Sequence, residues 1–103
     1  MSRRPDADIA VTQAVEASAM RAGCPVRVTT SSLTPWASAT FAGARHHLQL
    51  EADENEALDR WLADLPEADL PTRGCLVADM VVQSVHRASG IATIEIEALT
   101  VEE

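Results

Sequence analysis

The chain has 103 residues and a net charge of −8, and its eight basic residues are all arginine. This length supports one domain and excludes two independent cores. The lack of lysine excludes chemistry that depends on a Schiff-base, P-loop or general-base lysine. An acidic chain without a basic, aromatic-rich stripe is also a poor binder of nucleic acid, and we expect no such partner.

The hydrophobic residues can form only a thin core. Of 48 hydrophobic residues, 18 are alanine, so few bulky side chains are left to fill an interior. A small domain of this composition leaves apolar surface exposed unless it associates. We therefore predict that residues 1–103 form a single domain, with residues 1–5 as a disordered tail, and that the domain is a homodimer.

We expect a cytoplasmic protein with no membrane contact. The arginines near the N-terminus are followed by no apolar stretch, and the longest apolar run, residues 75–82, is interrupted by Asp79 and too short to cross a bilayer. Cys24 and Cys75 lack the spacing of zinc or redox motifs, so both are expected to be reduced and packed. Nothing in the sequence predicts a cofactor or a bound metal.

Residues 6–22 are predicted to form the first helix. Asp6 and Asp8 suit the positive N-terminal end of a helix, and Arg21 suits its C-terminal end. Gly23 then supplies the left-handed residue that ends many helices. The face that this helix would bury is rich in alanine, so we expect its packing to be weak.

A second helix is predicted after Asp53. Asp53 is followed three residues later by Glu56, which resembles the reciprocal capping arrangement at a helix start. Apolar residues then recur at helical spacing, at Leu58, Trp61, Leu62 and Leu65. Pro66 ends the pattern. The acidic residues around this helix predict an electronegative region.

Strands are predicted on both sides of the second helix. They cover residues 26–30, 36–41, 44–51, 75–85 and 91–101. A turn is expected at Ala42-Gly43. The strand at residues 75–85 is apolar on both faces, which indicates a central position in a covered sheet. The order αβββαββ predicts an α+β fold with a largely antiparallel sheet and two helices packed on one face.

Three apolar residues are predicted at an interface: Trp36, Leu99 and Val101. In the strand alternation Trp36 shares a face with small polar residues, which suits a surface position. Leu99 and Val101 fall on the acidic side of the last strand, which indicates either a bulge near Ala98 or a second buried surface. Several apolar residues on a polar face are typical of interaction patches.

The sequence carries no catalytic signature, and four polar residues are the candidates that remain for a site. Asp79 interrupts an apolar strand, where a buried acid needs a partner, and Arg45 and His47 are candidates for that role. His46 and His47 are adjacent on a strand, so they point to opposite faces and are unsuited to sharing one metal ion. The ordinary expectation is a packed, hydrogen-bonded His46 and a solvent-facing His47. His86 completes the set.

Three functions remain open. The preferred one is an acidic binding or structural domain that acts as a homodimer. The second is a small-molecule-binding or catalytic domain that uses Asp79, His46, His47 and His86. The third is an acidic chaperone or adaptor that presents the second helix and Trp36 to a protein partner. In its element order, small size and acidity alone, the chain is similar to the dimeric chaperones of type III secretion.

Overall fold

The computed structural model describes residues 4–103. In chain order the elements are α1 (Arg4–Arg21), β1 (Arg27–Ala37), β2 (Ala42–Asp53), α2 (Glu56–Asp64), a short 3₁₀ turn (Leu65–Glu67), β3 (Cys75–Ala88) and β4 (Ile91–Glu102). Residues 1–3, which belong to the expected tail, lie outside the described range. Between residues 4 and 103 no helix combines the length and the apolar character that crossing a bilayer requires.

The four strands form one antiparallel sheet in the order β1-β2-β4-β3. Val11 and Val15 of α1 and Leu58 of α2 are buried in one cluster with the inward side chains of the sheet, such as Leu48 and Ile96. Both helices therefore cover the same face. The predicted α+β class, with an antiparallel sheet and two helices, is confirmed.

The two strands predicted on either side of a Ser-Thr-Pro stretch form a single strand, β1. It pairs with β2 from one end to the other, and it tolerates Pro35 because an edge strand has no ladder to complete on one side. The turn lies at residues 38–41, where the Ser38 N–H donates to the Phe41 carbonyl at 2.7 Å. Ala42 and Gly43 consequently belong to β2, and the order is αββαββ.

β4 occupies the central position that the sequence suggested for β3. It pairs with β2 on one side and β3 on the other, and the bulge predicted near Ala98 is absent from it. The register shifts lie in β3 instead, after Val77 and after Val82. Leu99 and Val101 thus continue the regular alternation of β4. Along that face of the strand, the side chains change from polar to apolar.

Asn55, rather than Asp53, caps α2. The side-chain oxygen of Asn55 accepts a hydrogen bond from the Leu58 N–H at 2.8 Å. Asp53 is the last residue of β2, because that strand extends further than the alternation predicted. Leu58, Trp61 and Leu62 face the core, as their helical spacing predicted.

Polar contacts hold the alanine-rich α1 against its neighbours. The Glu16 carboxylate accepts from the Val28 N–H at 3.1 Å, next to a bulge in β1. The Ser18 hydroxyl accepts from the Trp61 indole N–H at 3.0 Å and thereby joins the two helices. Gly23, with a φ of 82°, follows the helix as predicted. These contacts supplement the modest apolar burial of an alanine-rich face.

Arg87 connects the end of β3 to α2. Its guanidinium binds Glu54 at 2.8 Å and Asp59 at 2.9 Å. The two hydrogen bonds, first that to Glu54 and then that to Asp59, raise the pKa of Arg87. Part of the electronegative region around α2 is thereby neutralised.

Candidate interaction surface

The outer face is the side of the sheet turned away from the helices. The register aligns its side chains in five rows across β1, β2, β4 and β3. In order, the rows are Trp36, Gly43, Val101 and Leu76; Thr34, Arg45, Leu99 and Asp79; Ser32, His47, Glu97 and Val81; Thr30, Gln49, Glu95 and Ser84; and Arg27, Glu51, Thr93 and His86.

Apolar side chains gather at one end of the outer face. This apolar end consists of Trp36, Leu76, Val81, Leu99 and Val101. Leu76 is 59% exposed and Val81 is 45% exposed, while the three residues predicted at an interface are half-buried. Those three lie within the first two rows, so the fold places them on one surface. A contiguous apolar patch of this kind is typical of an interaction site.

The indole of Trp36 lies across Gly43. A Cβ built on Gly43 would stand 3.0 Å from Cζ2 of Trp36 and 1.9 Å from the carbonyl oxygen of Thr100, so only glycine fits there. The Trp36 N–H is shielded from water and has no hydrogen-bond partner among the described residues. A buried N–H left unpaired costs about 1–3 kcal/mol, so apolar packing holds the ring in place.

Ion pairs occupy the middle of the outer face. Arg45 binds Glu97 at 3.2 Å, and His47 lies 3.7 Å from Glu95. These pairs join β2 to β4 across neighbouring rows. Exposed ion pairs of this type stabilise a fold by about 0–1 kcal/mol, so they can rearrange at little cost when another surface approaches.

Charges of opposite sign divide the outer face along the strand direction. The basic side chains Arg27, Arg45 and His47 belong to β1 and β2, whereas Asp79, Glu95 and Glu97 belong to β3 and β4. Glu51 is the exception on the basic side, where it is paired with Arg27 at 2.6 Å, and His86 of β3 is the exception on the acidic side. The outer face therefore has a basic half and an acidic half.

The four candidate catalytic residues do not converge. His46 points into the core, whereas His47, Asp79 and His86 lie on the outer face in different rows. Asp79 is exposed and accepts a hydrogen bond from the next backbone N–H at 3.0 Å. Its expected partners, Arg45 and His47, pair with glutamates of β4. Two strand spacings, about 10 Å, separate β2 from β3.

His46 is fully buried and has a partner at each ring nitrogen. Nδ1 lies 3.1 Å from the Asp8 carboxylate, and Nε2 lies 2.8 Å from the Thr100 hydroxyl. Asp8 also accepts from the Ser31 hydroxyl at 2.8 Å. Because a carboxylate only accepts, the hydrogen on Nδ1 faces Asp8. Thr100 is 1% exposed, so neither His46 nor Thr100 is accessible to a substrate, and the contacts connect α1 to the sheet.

Sequence reasoning did not single out Leu76 and Val81. The strand that contains them is apolar on both faces, which suggested a covered central strand, but β3 is an edge strand. Apolar residues on both faces of β3 could equally have indicated an apolar patch on the uncovered face of the sheet. Trp36 and α2 lie on opposite sides of the sheet, so one flat partner surface cannot contact both, as the adaptor hypothesis required.

Comparisons with known protein families, curated proteins and solved structures give no match to this chain. They therefore give no support to the similarity with type III secretion chaperones. The structure also has two strands, not three, between its helices. No group of three or more His, Cys, Asp or Glu residues that could hold a metal ion is found in the part of the chain that the structure describes.

Proposed function

We propose that the chain is a homodimeric binding domain whose two copies pack outer face against outer face. The observation that carries the proposal is the apolar end, where five apolar side chains lie together on the sheet face opposite the helices. Removing apolar surface from water is favourable by about 25 cal/mol per Å². A domain whose core is rich in alanine depends strongly on such additional burial.

Irregular edge strands disfavour the alternative of pairing edge to edge. β1 is bulged after Val28 and contains Pro35. β3, the other edge strand, is bulged after Val77 and after Val82. Bulges and prolines hinder the addition of a further strand at a sheet edge. The outer face is the better surface for a symmetric contact.

The outer face is large enough for a stable contact. Strands about 4.8 Å apart and rows about 6.8 Å apart give roughly 500 Å² in projection. Because side chains protrude from the sheet, the accessible area of the outer face is larger than its projected area. Stable interfaces bury about 800 Å² of accessible area per partner. The dimer therefore uses the polar rows as well as the apolar end.

A two-fold axis parallel to the strands makes two outer faces complementary. It places β1 of one copy over β3 of the other and β2 over β4, so that each row meets itself in reverse order. The basic half of one face then meets the acidic half of the other, and His47 faces Glu97 of the second copy. Two packed sheets align within about 30°, which keeps the rows matched near the axis.

The net charge of −8 on each copy does not oppose this arrangement. Sheets packed face to face are about 10 Å apart, and the acidic region around α2 lies on the far side of each sheet. The two acidic regions are then roughly 30 Å apart. At physiological ionic strength, charges are screened over about 8 Å.

Sedimentation equilibrium of the full chain tests the proposal, and we expect the mass of two chains at micromolar concentration. Leu76→Arg places a charge in the apolar end at a side chain that is 59% exposed, so the single copy tolerates it. We expect the dissociation constant of this variant to rise about 100-fold or more, because a buried, unpaired charge is costly. Met20→Arg, at a 67% exposed residue of α1, is the matched control and should leave the dimer intact.

Two results would contradict the proposal. A single-chain mass at tens of micromolar would contradict the homodimer, and a Leu76→Arg protein with the dissociation constant of the parent chain would contradict the outer face as its interface. Circular dichroism of both variants checks that the fold is retained. We place the dimer in the cytoplasm, a setting in which the buried, unpaired Cys24 and Cys75 remain thiols.

A further inference from the structure

A groove separates α1 from the loop that leads into β3. It has a volume of about 450 Å³, and three alanines of α1 line it together with Gln13, Arg21, Pro71, Thr72 and Arg73. The groove lies on the helical side of the molecule, away from the outer face. It therefore stays open in the proposed dimer, and it is equally open in a single copy, so a ligand of the groove does not depend on dimerisation.

Two arginines of this groove have no acidic partner among the side chains of residues 7–103. The side chains of Arg27, Arg45, Arg60 and Arg87 each lie within 4.0 Å of a carboxylate oxygen. Arg21 and Arg73 make no such contact with the side chains of residues 7–103, the part of the chain whose side chains the structure describes, although the sequence holds 16 acidic residues and only eight basic ones. Both of them line the same groove. The groove is thus a local basic site on an acidic protein.

We infer that this groove binds an extended acidic segment of a partner protein. Guanidinium groups match carboxylates through paired hydrogen bonds, so Arg21 and Arg73 suit two acidic side chains of the segment. The two arginines come from different elements, one from α1 and one from the loop. A ligand with two spaced carboxylates can therefore engage both walls of the groove.

The lining between the arginines suits a peptide backbone. Alanines at three positions of α1, together with Pro71, form a shallow apolar floor that a backbone can approach closely. Gln13 offers both a donor and an acceptor. The Thr72 hydroxyl already donates to the Cys75 carbonyl at 2.7 Å, so its oxygen is left to accept from a peptide N–H. Small-molecule sites enclose most of their ligand, whereas this groove is open along its length.

The contact is expected to be weak and sensitive to salt. Each exposed charge pair contributes little to the affinity, and the net charge of −8 repels an acidic ligand at long range. Added salt weakens the local attraction and the long-range repulsion together. Discrimination therefore depends on the two arginines, and it is best measured by comparing variants at one ionic strength.

An NMR titration of the full, isotope-labelled chain tests the inference. The probe is the blocked hexapeptide Glu-Ala-Gly-Ala-Glu-Gly, and the control peptide has glutamine in place of both glutamates. We expect the acidic peptide to shift the amide signals of Gln13, Ala14 and Thr72. Arg21→Gln and Arg73→Gln should each raise the dissociation constant about twofold to fivefold. Arg60→Gln, at an exposed arginine of α2 outside the groove, should leave it unchanged.

Three results would overturn the inference. The first is the absence of signal shifts at millimolar peptide, and the second is equal binding by the Arg73→Gln protein. The third is equal binding of the glutamine peptide, which would remove the role of the carboxylates. The sedimentation measurement is independent of all three, so failure of the groove and failure of the homodimer can be told apart.

Discussion

His46 lies where three elements meet, and its partners come from distant parts of the chain. Asp8 of α1 and Thr100 of β4 are 38 and 54 positions away in sequence. The alternation of β2 predicts that His46 points inward, and it does. No local pattern identifies partners at such separations, and Asp8 by itself indicated only a helix start.

Thr100→Val should destabilise the fold by about 1–3 kcal/mol. The substitution keeps the shape of the side chain but removes the hydroxyl oxygen, which lies 2.8 Å from Nε2 of His46 and 3.3 Å from the Ala44 carbonyl oxygen. Buried polar groups left without a partner cost about this much. Thr12→Val makes the same change on α1, where the helix propensities of the two residues are similar. We expect it to change the free energy of unfolding in urea by less than about 0.5 kcal/mol.

Cys24 should make the stability of the fold depend on alkaline pH. Burial raises the pKa of the Cys24 thiol, and Arg60 opposes part of that rise. Since the folded pKa lies above the unfolded one, the stabilisation is complete below the unfolded value. It is lost as pH rises above about 8.5 and through the folded pKa. The free energy of unfolding should therefore fall as pH is raised from 7 to 10.

Two cysteine variants test whether Cys24 causes the fall in the free energy of unfolding at alkaline pH. Cys24→Ala should show a shallower decrease in the free energy of unfolding than the parent chain does. Cys75→Ala, a change at the other buried cysteine, retains the Cys24 thiol and should keep the parent slope. Equal slopes for the parent chain and Cys24→Ala would show that Cys24 is not responsible.

At the scale of elements, the start of α2 depends on one side chain. Asn55→Ala removes the oxygen that accepts from the Leu58 N–H at 2.8 Å, and we expect it to cost about 1 kcal/mol. Asp53→Ala, at the residue that resembles a cap in the sequence, removes only an exposed strand carboxylate and should cost clearly less. Thermal or urea unfolding of the two variants compares them. A larger loss for Asp53→Ala would contradict the observed cap.

Local patterns predicted the number and faces of the helices better than the limits and order of the strands. The charged ends and Gly23 located the first helix to within a few residues, and hydrophobic spacing located the second. The polar stretch around Pro35 suggested a break in the strand. Pairing with β2 keeps β1 continuous there, and that pairing is a long-range property which a local pattern does not contain. In the same way, apolar residues on both sides of β3 suggested a central strand. An edge strand that supplies two of the five side chains of an apolar patch has the same composition.

At the scale of the whole molecule, cross-linking can reveal the symmetry of the dimer. With the proposed axis, Ser32 of one copy faces Val81 of the other, because both belong to the third row. Sheets about 10 Å apart exceed the reach of a disulfide, so a short bis-maleimide is the suitable reagent. A mixture of Ser32→Cys and Val81→Cys proteins should cross-link, and each protein alone should not. Efficient cross-linking of Ser32→Cys with itself would contradict this axis.

The candidate site could be predicted in part. Trp36, Leu99 and Val101 stood out as apolar residues on polar faces, and alternation alone is sufficient for that. Their placement in neighbouring rows requires the register of β1, β2 and β4, which one sequence does not specify. The groove beside α1 was beyond prediction, because it brings Arg21 and Arg73 together from parts of the chain 52 positions apart.

The central position of β4 has a consequence for synthesis on the ribosome. β4 is the last strand to be made, yet it must lie between β2 and β3 before the sheet can close. At about 5–20 residues per second, the nascent β1-β2 hairpin waits roughly 2–7 s for this strand. During that interval the free side of β2 has neither a proline nor a register shift to protect it. Slow translation between residues 54 and 90 should therefore expose this chain to aggregation more than slow translation before residue 40.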